Sequence, residues 1–82
     1  MKIDMRFNCS ELAGKLRDGA YDAAAGATVT ELVDAALAEA GEEITEELRE
    51  SLIFLFNSSP VFRDTALSED GMLRVMFKVL GG

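Results

Sequence analysis

One long helical stripe, and only one, constrains this chain most. Val29, Leu32, Val33, Ala36, Leu37 and Ala40 recur at i, i+3, i+4, i+7, i+8 and i+11, which places them on one apolar face of a helix. Thr28 and Glu31 stand at the spacing of a capping box, and Gly41 follows where a left-handed C-cap belongs. The spacing predicts a helix over 29–40. In a chain of 82 residues, enough for one domain, that face must be buried against whatever the remaining sequence builds.

Most of the remainder reads as strand. Ile3, Met5 and Phe7 alternate with Lys2, Asp4, Arg6 and Asn8, the pattern of a half-buried strand. Leu73, Val75, Phe77 and Val79 alternate in the same way with Met72, Arg74, Met76 and Lys78 near the other end. Leu52-Ile53-Phe54-Leu55-Phe56 is apolar without a break, so both of its faces are apolar and its inward register is open. Ala20–Ala24 is a weak strand after the Asp18-Gly19 turn, and Tyr21 is its only large side chain. Ser10 offers a cap to a short helical turn or loop over 11–16, and Thr45 offers one to a short acidic helix before residue 50. Asn57-Ser58-Ser59-Pro60 reads as a turn, followed at most by a short edge strand at Val61-Phe62.

The resulting order is strand, strand, helix, strand, short strand, strand. A sheet with one amphipathic helix on one face is a two-layer α+β domain. A helix between the second and third strands fits a β-grasp, with the first and last strands side by side and parallel. We expect a single domain over 1–80 and a flexible Gly81-Gly82 tail.

Composition narrows the chemistry. Lys and Arg number 8 against 15 Asp and Glu, a net charge of −7, which disfavours nucleic acid because phosphate binding needs cations. The absence of histidine removes a histidine general base, a Ser-His or Cys-His pair and a histidine metal site. The single cysteine, Cys9, forms no internal disulfide and no multi-cysteine zinc site, and its surroundings in sequence fit a small buried hydrophobe. The acidic run Glu42, Glu43, Glu46, Glu47 and Glu50 lacks the alternating Asp/Asn and glycine pattern of a calcium loop and reads as a solvated face. We therefore expect no metal, no bound cofactor and no catalytic residue. The opening residues do not form the apolar run of a signal peptide, and no apolar stretch approaches the roughly 20 residues of a membrane span, so the expected setting is cytoplasmic.

The last two residues, Gly81 and Gly82, point to another kind of chemistry. Without Cβ atoms they are thin enough to thread a narrow cleft, and the only reactive group at their tip is the terminal carboxylate. A carboxylate becomes electrophilic once ATP adenylates it, and that chemistry belongs to a partner enzyme.

Several pieces in order then resemble a family. They are the first strand ending in Arg6-Phe7, Ser10-Glu11-Leu12-Ala13-Gly14, Thr28-Val29-Thr30-Glu31-Leu32, Phe56-Asn57, Leu67-Ser68-Glu69-Asp70-Gly71 and terminal Gly81-Gly82. The chain resembles the ubiquitin-like sulfur carriers, namely the small subunit of molybdopterin synthase and the thiamine-pathway carrier. The resemblance implies an E1-like activating enzyme that uses ATP to adenylate Gly82. A sulfur donor then forms a thiocarboxylate, and the carrier delivers sulfur to an acceptor synthase subunit. Met76-Phe77-Lys78-Val79-Leu80 stands where molybdopterin members commonly carry a proline pair, so the family is clearer than the pathway. Two alternatives share the fold: a protein modifier joined to substrate lysines, and a non-covalent interaction module.

A two-layer fold exposes the outer sheet face. An apolar patch there marks a protein interface. We expect Arg74, Met76, Lys78 and Leu80, with Phe54 and Phe56 or their odd-numbered neighbours, to dock the partner. The overall negative charge is expected to steer the domain toward a basic partner surface.

Overall fold

Ile3, Met5, Phe7, Leu73 and Val75, the apolar halves of the two alternating segments, are all buried, and they share one core with Val29, Leu32, Val33, Ala36 and Leu37 of the helix. This computed structural model describes residues 1–77. The strands are β1 (Lys2–Phe7), β2 (Gly19–Asp22), β3 (Leu52–Phe56), β4 (Ser59–Val61) and β5 (Gly71–Phe77), and the helices are α1 (Val29–Ala40) and α2 (Glu46–Glu50). They form a five-stranded sheet in the order β2-β1-β5-β3-β4. β1 and β5 lie side by side and parallel, with Met5 opposite Leu73 and Phe7 opposite Val75. The remaining pairs are antiparallel. This is the β-grasp arrangement expected from the order of elements.

The ends of α1 follow from its sequence. The Thr28 side chain accepts from the Glu31 amide while the Glu31 carboxylate accepts from the Thr28 amide, a reciprocal capping box. Gly41 closes the helix at φ 67°, a left-handed value that favours glycine. The amides of Val29 and Thr30 have no partner inside the helix, and they donate to the carbonyls of Thr65 (3.1 Å) and Arg63 (2.9 Å). The segment between β4 and β5 therefore seals the start of the helix. Thr45 caps α2 by accepting from the Leu48 amide at 3.0 Å, and Arg49 ties α2 to α1 through Asp34 at 2.9 Å.

Two local readings are corrected. The turn after β3 is shorter than four residues: Asn57 and Ser58 alone reverse the chain, both at positive φ (50° and 71°), as a two-residue hairpin loop requires. Ser59 and Pro60 consequently belong to β4, where Phe56 pairs with Ser59 and Leu55 with Pro60. Proline lacks an amide hydrogen and is tolerated there because β4 is an edge strand. The 9–16 segment forms turns closed by Leu12 and Ala13 donating to the Cys9 carbonyl, and the Ser10 hydroxyl bonds Glu11 rather than capping a helix. Leu12 and Leu16 bury themselves from this segment, and Cys9 is buried beside them in the same core.

Candidate functional site

The register between β3 and β5 decides which side chains face outward. Phe54 lies opposite Val75 and Phe56 opposite Leu73, so both phenylalanines point to the helix side. Phe54 is only 7% exposed, and Phe56 is half-buried against the core. Neither belongs to the outer face, which corrects their expected place among the docking residues. Their odd-numbered neighbours face outward instead: Ile53 pairs with Met76, and Leu55 pairs with Arg74. Lys78, Leu80, Gly81 and Gly82 lie outside the described residues.

Across the outer face, the row formed by Arg6, Arg74, Leu55 and Pro60 crosses four strands. Met72 precedes it on β5 and Met76 follows it. Apart from Arg74 the face is apolar from β5 to β4, and it is charged on β1, where Lys2, Asp4 and Arg6 point outward. An open groove of about 870 Å³ follows β3 and β4; Ile53, Leu55, Pro60 and Phe62 contribute apolar lining, and Arg49, Glu50, Arg63 and Asp64 contribute charges of both signs.

Among the described residues the exposed large apolar side chains are Ile53 (41%), Phe62 (74%) and Phe77 (38%). Ile53 and Phe77 sit at one end of the sheet, the start of β3 and the end of β5, and Phe62 follows the last residue of β4 at that same end. This is the end at which β5 runs into Lys78–Gly82. The sequence places Phe62 at the end of a short edge strand, Val61-Phe62. The tight Asn57-Ser58 reversal ends β4 at Val61, and the chain then turns, with Thr65 donating to the Phe62 carbonyl at 3.0 Å. That turn leaves the Phe62 ring outside.

Charge is distributed unevenly. The outward residues of the strands include three cations, Lys2, Arg6 and Arg74, against two anions, Asp4 and Asp22. Their net charge of +1, in a chain of −7, leaves −8 for everything else. Four of the five arginines meet a carboxylate: Arg6 meets Asp4, Arg17 meets Glu39, Arg49 meets Asp34 and Arg63 meets Glu46. Arg74 has no carboxylate partner among the described residues and reaches only the Asn8 Oδ1 at 3.5 Å.

The remaining perturbed groups lie away from this face. Arg17 Nε donates to Glu39 Oε2 at 2.9 Å and holds that carboxyl below its ordinary range. The guanidinium also stacks on the Tyr21 ring at 4.2 Å. Burial pushes the Tyr21 hydroxyl up, and its proton goes to the Arg17 carbonyl at 2.7 Å. Burial likewise raises the Cys9 thiol, which describes a packed side chain rather than a nucleophile. Among the described residues no group of three or more Cys, Asp or Glu side chains is placed to hold a metal ion, and no helix is long and apolar enough to cross a membrane.

No family model matches the sequence, and no curated protein matches it. Solved structures do resemble the fold. The crystal structure of SAMP1 from Haloferax volcanii superposes with a TM-score of 0.69 at 19% identity, covering 100% of both chains. A second crystal structure, of H. volcanii small archaeal modifier protein 1, gives a TM-score of 0.69 at 18% identity over 95% of this chain and 98% of that one. At this identity the likeness concerns the fold, which is that of the ubiquitin-like β-grasp proteins.

Proposed function

We propose that this chain is a ubiquitin-like carrier that works through its terminal carboxylate and a partner enzyme. In this reading an E1-like activating enzyme docks on the outer face. It uses ATP to adenylate Gly82, with release of pyrophosphate. A sulfur nucleophile from a donor then displaces AMP and forms the thiocarboxylate. The carrier presents this group to an acceptor synthase subunit in cofactor biosynthesis, with molybdopterin favoured and thiamine next. Gly82 carries the sulfur, Gly81 gives clearance, and the domain contributes binding rather than catalysis.

One observation carries the proposal. Ile53 faces outward beside Met76 and Phe62 is exposed just past β4, both at the end of the sheet where β5 closes at Phe77, whose own ring is on the opposite face with Leu52. A partner held there meets the domain close to Phe77, five residues before Gly82 in sequence. The resemblance of the fold to ubiquitin-like proteins agrees with this use.

A second reading has its own support. The two solved structures named above are of a small archaeal modifier protein, so transfer of the activated glycine to a substrate lysine stands beside transfer of sulfur. A non-covalent interaction module is the third alternative. Mass spectrometry after incubation with the E1-like enzyme, ATP and a sulfur donor separates them. Replacement of one terminal oxygen by sulfur supports the carrier, and lysine conjugates support the modifier. An unchanged terminus, or activity that survives deletion of Gly82, sinks both covalent readings.

A further inference from the structure

We infer that the outer face around Arg74 binds an acidic protein segment, one that carries a carboxylate beside an aliphatic or aromatic side chain. The first ground is the pairing of the arginines. This chain has 15 carboxylates, and they engage Arg6, Arg17, Arg49 and Arg63 but not Arg74, among the described residues. Arg74 is exposed in the middle of the sheet, between β1 and β3, and its neighbour on β1 is a second cation, Arg6. An arginine flanked by a like charge and lacking an anion gains most from an anion brought by another molecule.

The second ground is what surrounds it. Leu55 lies opposite Arg74, Met72 and Met76 flank it on the same strand face, and Ile53 lies opposite Met76. A guanidinium bordered by apolar side chains forms stronger charge-assisted hydrogen bonds once a partner excludes water from them. The occupant must therefore bring apolar surface together with its anion.

The third ground is the distribution of charge. The outer face carries +1 while the rest of the chain carries −8. The anion of an acidic segment is therefore drawn to the arginines of the strands, Arg74 above all, and away from Glu50 and Asp64 at the groove, which fixes where on this face it sits. Nucleic acid and anionic membranes present charge over a wide area and meet the repulsion of the whole chain, so a local acidic segment of a protein is the better match. The inference concerns the surface and does not depend on the chemistry at Gly82.

A random peptide library displayed on phage, selected on the intact 82-residue chain, tests it. The expected binders combine Asp or Glu with Leu, Ile, Val, Phe or Trp. Their affinity falls about tenfold for Arg74→Glu, the effect of losing one charge-assisted hydrogen bond, and falls less for Arg74→Lys. Ile53→Asp weakens the same peptides, and a thermal melt of each variant confirms that the domain still folds. Binders without acidic residues, affinities within about twofold of the parent chain for Arg74→Glu, or a selection that yields no binder overturn the inference. Pyrophosphate exchange with the E1-like enzyme is scored separately, so a chain that binds acidic peptides without being adenylated retains this surface and loses only the proposed function.

Discussion

Arg6 and Arg74 stand opposite each other on the parallel strands β1 and β5, both on the outer face of the sheet, and only Arg6 has a carboxylate, Asp4 at 3.1 Å. Two like charges in one cross-strand row work against the sheet. Replacing Arg74 with glutamate converts that repulsion into an attraction. Arg74→Glu is expected to leave folding unharmed or to raise stability by about 0.2–1 kcal/mol in urea unfolding at low salt, with the gain shrinking as salt rises. A loss of more than about 1 kcal/mol contradicts the assignment of this arginine to binding rather than to the fold.

Gly71 opens β5 in a space that has no room for a side chain. A Cβ there lies 2.6 Å from the Phe56 ring and 2.6 Å from the Asn57 amide group. Asn57 cannot yield freely, because its backbone amide donates to the Met72 carbonyl at 2.9 Å and its Oδ1 accepts from the Met72 amide at 2.9 Å. Gly71→Ala is expected to destabilise the domain by about 1–3 kcal/mol through overpacking, read as a lower urea midpoint. An unchanged midpoint shows that Phe56 and Asn57 relax without loss.

The Arg17–Glu39–Tyr21 cluster makes stability depend on pH in a definite direction. The Glu39 carboxyl is held low first by its hydrogen bond with Arg17, so its contribution is present above the ordinary carboxylate range and is lost as pH falls through the lowered folded value. Tyr21 is shifted the other way, chiefly by burial, so its contribution is present below the ordinary tyrosine range and is lost as pH rises through the raised folded value. Glu39→Gln is expected to flatten the acid limb of a melting-temperature profile and to reduce the alkaline limb only in part, because burial, the chief cause of the Tyr21 shift, remains while the raising effect of the Glu39 charge is lost. Equal flattening of both limbs argues that the two groups titrate as one unit.

Cys9 offers a direct reading of local opening. Its side chain is 2% exposed and burial is the main force raising its thiol. Alkylation by iodoacetamide near neutral pH is expected to run at least about a hundredfold slower in the folded chain than in urea, because it must wait for the core to open. Rapid alkylation of the folded chain contradicts the buried placement.

Much of this fold is written in local signals. The capping box of Thr28 and Glu31, the glycine after Ala40 and the strict alternation of Ile3-Met5-Phe7 and Leu73-Val75 specify a helix and two half-buried strands, because backbone preference and the periodicity of burial act over a few residues. The parallel pairing of β1 with β5 also followed from the order of elements. The candidate site was legible only in part. Arg74 and Met76 fall on the outward half of an alternating strand, so their side of the sheet was legible, whereas the third strand gave no direction.

Leu52–Phe56 is apolar on both faces, so its own sequence permits either orientation, and a shift of one residue exchanges the faces. The contact with β5 settles the matter by placing Phe54 against Val75 and leaving Ile53 and Leu55 outside. The exposure of Phe62 likewise comes from a two-residue reversal at Asn57-Ser58 and the turn that follows Val61. That Arg74 has no carboxylate partner among the described residues is a fact about where fifteen acidic side chains end up. The sequence by itself determined the elements, their order and the ends of the helix, since these depend on neighbours within a turn or two. Tertiary structure alone decided which face of β3 meets solvent and which arginine is left without an anion, because both depend on residues brought together from opposite ends of the chain.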